Sequence, residues 1–415
     1  MHTLISILRY VLAAMVVLLL GSFVGWYFYV RSQENPLVPE KAEMVGTADG
    51  FQGNRGLPEN VSAGEAQGAS PAEQIPGRGD ERLWRVDQGP VAGFSFVNAG
   101  SSVSSSSPPT ILFAERANGY IFSADMQLQA VTRITNTLMP KTYEAHFATS
   151  GGYVLLRSLD ESGNITTYAG TFLTDDATTT PQSLSGVYLP TNIRKIFLDN
   201  SGRRIFMVSN DPTSGGSVGM SQLFDGTSSK KVFSSFIRSW RPLFAQGQLI
   251  ILTDPMDDLS GYAYKIGDSG RLVPLIGPVP GLTIMPHSSE AAFLYSGSAN
   301  GQIALFLQVG KAAAVLLPLQ TIADKCVWAS GKPLIAYCAV PSAPSSSIFM
   351  QEWYQGVLHT ADVWWRIDAA SGETELLYTP SASLDVHDPK IDASGKYVAF
   401  TNGSDQSLWV LRIVQ

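Results

Sequence analysis

The sequence predicts an all-β fold: a seven-bladed β-propeller closed by an N-terminal strand, preceded by one transmembrane helix and a disordered tether. Three observations predict it. A short apolar–turn–apolar unit recurs along the chain, each copy is followed by further strand-like segments, and the composition favours turns over helices. Of 415 residues, 45% are apolar and only 15% charged, with 38 Gly and 24 Pro. Such proportions suit a turn-rich β protein with a large core.

The repeating unit is clearest near the end of the chain, in IDASGKYVAF from Ile391 to Phe400. Related stretches are FATSGGYVLL (Phe147 to Leu156), LDNSGRRIFM (Leu198 to Met207), LFAQGQLIIL (Leu243 to Leu252) and VWASGKPLIA (Val327 to Ala336). MPHSSEAAFL (Met285 to Leu294) is a degenerate copy with Ser289 at the glycine place. The turn positions Gly151, Gly202, Gly247, Ser289, Gly331 and Gly395 are spaced by 51, 45, 42, 42 and 64 residues. A further unit, GFSFV and TILFAE around a Ser/Pro-rich loop, precedes them and makes seven. Self-similarity at this period points to a propeller or solenoid, and glycine suits turns that need positive φ.

Each unit continues with a polar loop, an aromatic-rich strand such as DVWWRID or SLWVLRI, and one more strand such as RLVPLI or ETELLY. Four antiparallel strands joined by turns form one propeller blade. No helical period of useful length appears beyond the N-terminal stretch, which argues against a βαβ fold. The last unit lacks its outer strand, whereas ERLWRVD (Glu81 to Asp87) stands spare before the first. Leu83, Trp84 and Val86 are therefore expected to pair with Leu408 and Trp409, completing the seventh blade and removing an exposed sheet edge. The rival is an open array with two frayed ends.

The unit from Pro389 to Phe400 resembles the blades of TolB-like and dipeptidyl-peptidase-IV N-terminal propellers. The likeness covers most of residues 81–415 but rests on a short, degenerate motif. TNTLMPKTYEAHF, DKCVW…AYCAVP and WYQGVLHTADVWWRID look like segments of membrane-anchored bacterial propeller proteins. That resemblance implies an exported propeller and no particular activity.

Ahead of the repeats, Tyr10 to Val30 holds 21 residues without a formal charge. At 1.5 Å per residue such a run spans roughly 30 Å, the thickness of a bilayer's hydrocarbon core. Trp26, Tyr27 and Tyr29 crowd its far end, where aromatic rings favour the headgroups. Bulky residues there argue for an uncleaved signal anchor over a cleaved signal peptide. The expected organisation is thus a cytoplasmic tail over 1–9, a span over 10–30, a tether over 31–80 and the propeller over 81–415, outside the membrane. The tether's Glu, Pro, Gly, Ser and Gln content suits disorder, and fifty flexible residues reach about 40 Å.

Formal charge is −7, of which residues 31–80 carry −4. A nearly neutral propeller without Lys/Arg runs is a poor candidate for nucleic acid. Cys326 and Cys338 sit symmetrically about the turn containing Gly331, which places them opposite each other across a hairpin. Such a pair suits a structural disulfide in an oxidising compartment. Two buried thiols are the alternative.

The residues with chemical potential are few. Gly215-Gly216-Ser217-Val218-Gly219 fits G-x-S-x-G but lies in a loop between antiparallel strands, where no nucleophile elbow forms. MDDLSG (Met256 to Gly261) lacks the spaced ligands of a calcium loop. Glu144, His146, His387 and Asp388 fall near the starts of inner strands and are candidate channel-mouth groups, although hydrogen bonds to loops or water explain them equally. An insertion from Val340 to Thr360 brings Phe349, Met350, Trp353 and Tyr354 together in an expected loop. They are candidate binding anchors, or caps between blades. No cofactor or metal is called for by the pattern. The expected function is a non-enzymatic binding or scaffold module for a protein, peptide or glycan; the alternative is a metal-dependent hydrolase using the channel mouth.

Overall fold

A computed structural model describes residues 82–97, 109–172, 181–199, 201–245, 247–299, 302–332, 334–343 and 349–414. The expected tail, membrane span and tether lie outside the described residues. No helix among the described residues is long and apolar enough to cross a membrane.

Seven four-stranded antiparallel sheets follow one another along the chain. Their first strands are Val91–Val97, Thr142–Phe147, Lys195–Leu198, Arg241–Ala245, Thr283–Pro286, Cys326–Trp328 and Val386–Ile391. Six of the sheets are meanders of consecutive strands. The seventh takes its outer strand, Leu83–Asp87, from the beginning of the described chain. There Leu83 pairs with Leu411, Trp84 with Val410, Arg85 with Trp409 and Asp87 with Leu408. The ring closes as the spare strand implies.

The core sits between the blades. Seven apolar clusters each bridge consecutive sheets, including the one that joins blade seven to blade one through Val410, Leu408, Phe94 and Phe113. Leu83 faces blade six beside Tyr378, while Val86 faces blade one. Burying each contributes about 1.5–3 kcal/mol, so the closing strand is held by packing as well as by its ladder.

The repeat motif has a local cause. Gly151, Gly202, Gly247, Gly331 and Gly395 all adopt φ between 68° and 73° in the turn after an inner strand. In blade seven, Asp392 Oδ1 accepts the N–H groups of Lys396 and Tyr397, both at 2.7 Å. Asp199 does the same for Arg203 and Arg204 in blade three. Blade five has Ser289 instead of glycine, and there His287 Nδ1 accepts the N–H groups of Ser289 and Glu290. Pro389 is tolerated because Val386–Ile391 is an edge strand with a bulge between His387 and Lys390.

Cys326 and Cys338 are register partners and form a disulfide, fully buried against blade five. The insertion of blade six is not wholly a loop. It carries a short helix, Phe349–Tyr354.

Candidate functional site

In a propeller built from meanders, every inner strand runs the same way, so all their starting ends gather at one mouth of the ring. The residue just before an inner strand therefore points a side chain into a crowded junction between blades. Lys325 precedes the inner strand of blade six, and Asp385 that of blade seven.

Lys325 and Asp385 meet. Lys325 Nζ donates to Asp385 Oδ1 at 2.8 Å, Asp362 Oδ2 at 2.5 Å and Thr360 Oγ1 at 2.8 Å. The Lys325, Asp362 and Asp385 side chains are at most 1% exposed. Charges removed from water this completely persist only when paired and hydrogen-bonded. Asp385 Oδ1 also accepts Trp353 Nε1–H and the Thr360 hydroxyl, both at 2.8 Å. Its Oδ2 lies 3.1 Å from His359 Nδ1 and 3.1 Å from His387 Nε2. Burial by itself raises the Asp385 carboxyl; the His387 and Lys325 hydrogen bonds and charges outweigh it and hold the group far below the usual carboxylate range.

One carboxylate thus orients two imidazoles. The His359 and His387 side chains are 40% and 30% exposed, and each has one ring nitrogen held by Asp385. His387 stacks on Trp353 with ring centroids 4.0 Å apart. Gly403 closes over this pair, and a Cβ there would overlap Asp385 Oδ2 and His387 Nε2.

The helix Phe349–Tyr354 lies across neighbouring blades. Asp257, in the MDDLSG turn of blade four, accepts the Met350 and Gln351 N–H groups at 3.2 and 3.1 Å. Asp324 pairs with Arg241 and accepts the Tyr354 hydroxyl at 2.5 Å.

Most of the aromatic side chains of this insertion turn inward. Phe349, Met350 and Trp353 are 1%, 0% and 3% exposed and pack on Ile303 and Ile322. Only Tyr354, at 37%, faces out. The physical reason is that a polar-rich insertion has to cover its own apolar residues, and the gap over blades five and six receives them.

The channel-mouth candidates separate into two groups. On blade two, Glu144 Oε1 lies 2.8 Å from His146 Nε2, and Glu144 Oε2 pairs with the buried Arg157. Burial raises the Glu144 carboxyl, but the His146 hydrogen bond and charge, together with Arg157, bring it down to about 2. On blade seven, His387 joins the Asp385 centre, whereas Asp388 sits in the bulge at φ 50°, is exposed, and pairs with Lys390 at 2.8 Å. No hydrogen bond or ion pair among the described residues links the two groups. No cluster of three or more His, Cys, Asp or Glu among the described residues is arranged to hold a metal.

No protein-family model and no curated protein matches this chain. Solved structures do. An oligogalacturonate lyase in complex with manganese is 10% identical, with a TM-score of 0.50, over 79% of this chain and 97% of that one. The propeller domain of the Trilobed protease from Pyrococcus furiosus is 10% identical with a TM-score of 0.49, over 79% and 95%. An acylaminoacyl peptidase from Pyrococcus horikoshii is 10% identical with a TM-score of 0.46, over 78% and 52%. The chain has the seven-bladed β-propeller fold. At 10% identity the likeness to the lyase speaks to the fold alone.

Within this propeller, Ser217 of the G-x-S-x-G stretch is fully buried, and its Oγ donates to the Ile237 carbonyl at 2.6 Å. The flanking glycines answer to packing: a Cβ at Gly216 would strike the Ser235 carbonyl, and one at Gly219 the Phe233 ring. Lys325, Asp362, Asp385 and His359 escaped the sequence reading, as did Arg157, Arg241 and Asp324. The available signal was a lone charged residue directly before an apolar strand, as in DKCVW and LDVHD. Chemically, the Asp385 centre presents two oriented imidazoles beside an aromatic ring, able to exchange hydrogen bonds with a bound polar group.

Proposed function

We propose that this chain is a non-enzymatic binding module, held at the outer face of a membrane by its N-terminal apolar segment, which receives a protein or peptide at the Asp385 end of the ring. The observation that carries this reading is the distribution of exposed apolar side chains. Leu138, Phe236, Ile237, Met256, Leu259 and Val357 project from connections at that end, with Phe236 87% and Val357 70% exposed. At the opposite end, among the described residues, their counterparts outside strands are Leu128 and Val414. Exposed apolar groups gathered on one face of a soluble domain are the signature of an interaction surface. Hydrogen bonds tie several of these loops together. Ser239 donates to Asp254, and Asp257 caps the helix that precedes Val357. A pre-ordered surface loses little conformational freedom on binding. The buried Cys326–Cys338 disulfide supports an oxidising, extracytoplasmic setting.

Photo-crosslinking from the full chain in its native membrane tests this reading. A benzophenone side chain at position 236, 259 or 357 should give one discrete adduct, absent when it is placed at 128. Adducts from position 128 alone, or none from the first three positions, refute it.

A second reading, a metal-dependent hydrolase at the channel mouth, draws on His359 and His387 sharing Asp385. It requires activity that is lost in both His359→Ala and His387→Ala and that depends on added divalent metal.

A further inference from the structure

A cleft of about 690 Å³ opens between blades three and four, at the end of the ring opposite Asp385. Its size is that of a small-molecule site. One wall is a straight row across blade three. Phe197 pairs with Phe206, Phe206 with Ser221 and Ser221 with Lys230, so all four side chains share one face of the sheet. Arg204, two residues from Phe206 on the same strand, shares that face, and its Nη1 lies 3.4 Å from Ser221 Oγ. The other wall is Phe244, Leu249 and the turn from Gly267 to Gly270. The Phe197 and Phe244 rings stack across the seam with centroids 6.4 Å apart.

The charges in this cleft are unevenly engaged. Both oxygens of Asp199 are taken up by the Ser201 hydroxyl, and its Oδ1 also accepts the Arg203 and Arg204 N–H groups. By contrast, neither Arg204 nor Lys230 forms an ion pair among the described residues, in a chain whose net charge is −7. Two cations outside any such ion pair, above an aromatic floor, call for an anion attached to a body that packs on rings. Asp268, on the facing turn, adds an acceptor for a hydroxyl or N–H on that body.

We infer that the cleft between blades three and four binds a small ring-bearing organic anion with hydrogen-bond donors, such as an acidic sugar or a nucleotide. The anionic group pairs with Arg204 and Lys230, and the ring lies against Phe197 and Phe244.

Titration calorimetry on the full chain in detergent at low salt, with D-glucuronate, AMP, D-glucose and inorganic phosphate, tests this site. D-glucuronate or AMP should bind saturably, and the tighter of the two identifies the body. D-glucose, lacking the charge, and phosphate, lacking the ring, should bind more weakly. The Arg204→Ala/Lys230→Ala double variant should lose about tenfold or more in affinity. Both side chains are exposed, so its thermal midpoint should match the parent. Arg204→Glu/Lys230→Glu should abolish binding. The inference is overturned if neither ring anion binds, if glucose binds as tightly as glucuronate, or if the double variant binds like the parent.

Discussion

Replacing Lys325 with Met tests whether the Asp385 centre is held by its one buried ammonium. Met keeps most of the side chain's apolar volume and removes the charge. Lys325 Nζ makes three hydrogen bonds, to Thr360, Asp362 and Asp385, and lies 4.8 Å from the centre of the Trp353 ring. Without it Asp385 keeps Trp353, Thr360, His359 and His387, whereas the remaining protein partner of Asp362 is the Val386 N–H at 2.7 Å. Asp362 is therefore the group left uncompensated. Breaking a buried pair from one side costs about 3–5 kcal/mol. Unfolding entropy of about 2.1 cal/mol/K per residue over roughly 330 residues converts this to a fall in midpoint of about 4–7 °C. Urea unfolding followed by tryptophan fluorescence measures it. The Lys325→Met/Asp362→Leu double variant should recover much of the stability, since an apolar pair needs no desolvation of charge. A single-variant loss below about 1 kcal/mol, or a double variant weaker than the single, refutes the assignment.

Three further expectations follow from the same geometry. Trp353→Ala should cost about 3–5 kcal/mol in urea unfolding, as an emptied aromatic site in a packed core does, while Tyr354→Ala, at a partly exposed position, should cost clearly less. Cys326→Ser/Cys338→Ser, which releases a bridge spanning 12 positions, should lower stability by about 3 kcal/mol, and reductant should reproduce the effect in the parent. Since the folded Glu144 carboxyl titrates near 2 against an ordinary 4.5, its contribution is full above that ordinary value and is lost as pH falls toward 2. Glu144→Gln should remove this segment of the acid-melting profile.

What the sequence disclosed and what it concealed divide along physical lines. The blade turns were legible because their chemistry is local. Asp392 binds N–H groups within five residues of itself, and Gly395 alone supplies the left-handed φ. Ring closure was legible because a spare strand and a missing one have complementary apolar faces. The Asp385 centre was not legible. Its contacts join residues 37 and 60 positions apart, through isolated charges in apolar surroundings that no period marks. Among its members His387 drew notice for its expected place at the mouth and Trp353 as a candidate anchor, but nothing in the sequence joined them to Lys325 or Asp385. The insertion was ambiguous for a related reason. Six residues are too few to show an amphipathic period, so Phe349 and Trp353 read equally well as facing out or in. Burial decided between them.

The two ends of this ring are built under different constraints, and that difference explains where the interaction surface is proposed. The turns that follow the inner strands are tight, and they repeat Asp, Ser and Gly because few other residues satisfy their backbone. Connections at the opposite end carry the blade-six insertion, the MDDLSG turn and the Phe236–Ile237 loop, and they are fastened by side chains of distant blades. Backbone freedom, and with it variety of side chains, is greater there. The closing strand sharpens the asymmetry. Leu83 pairs with Leu411 near the finish of its strand, so the chain enters the ring from the tight-turn end.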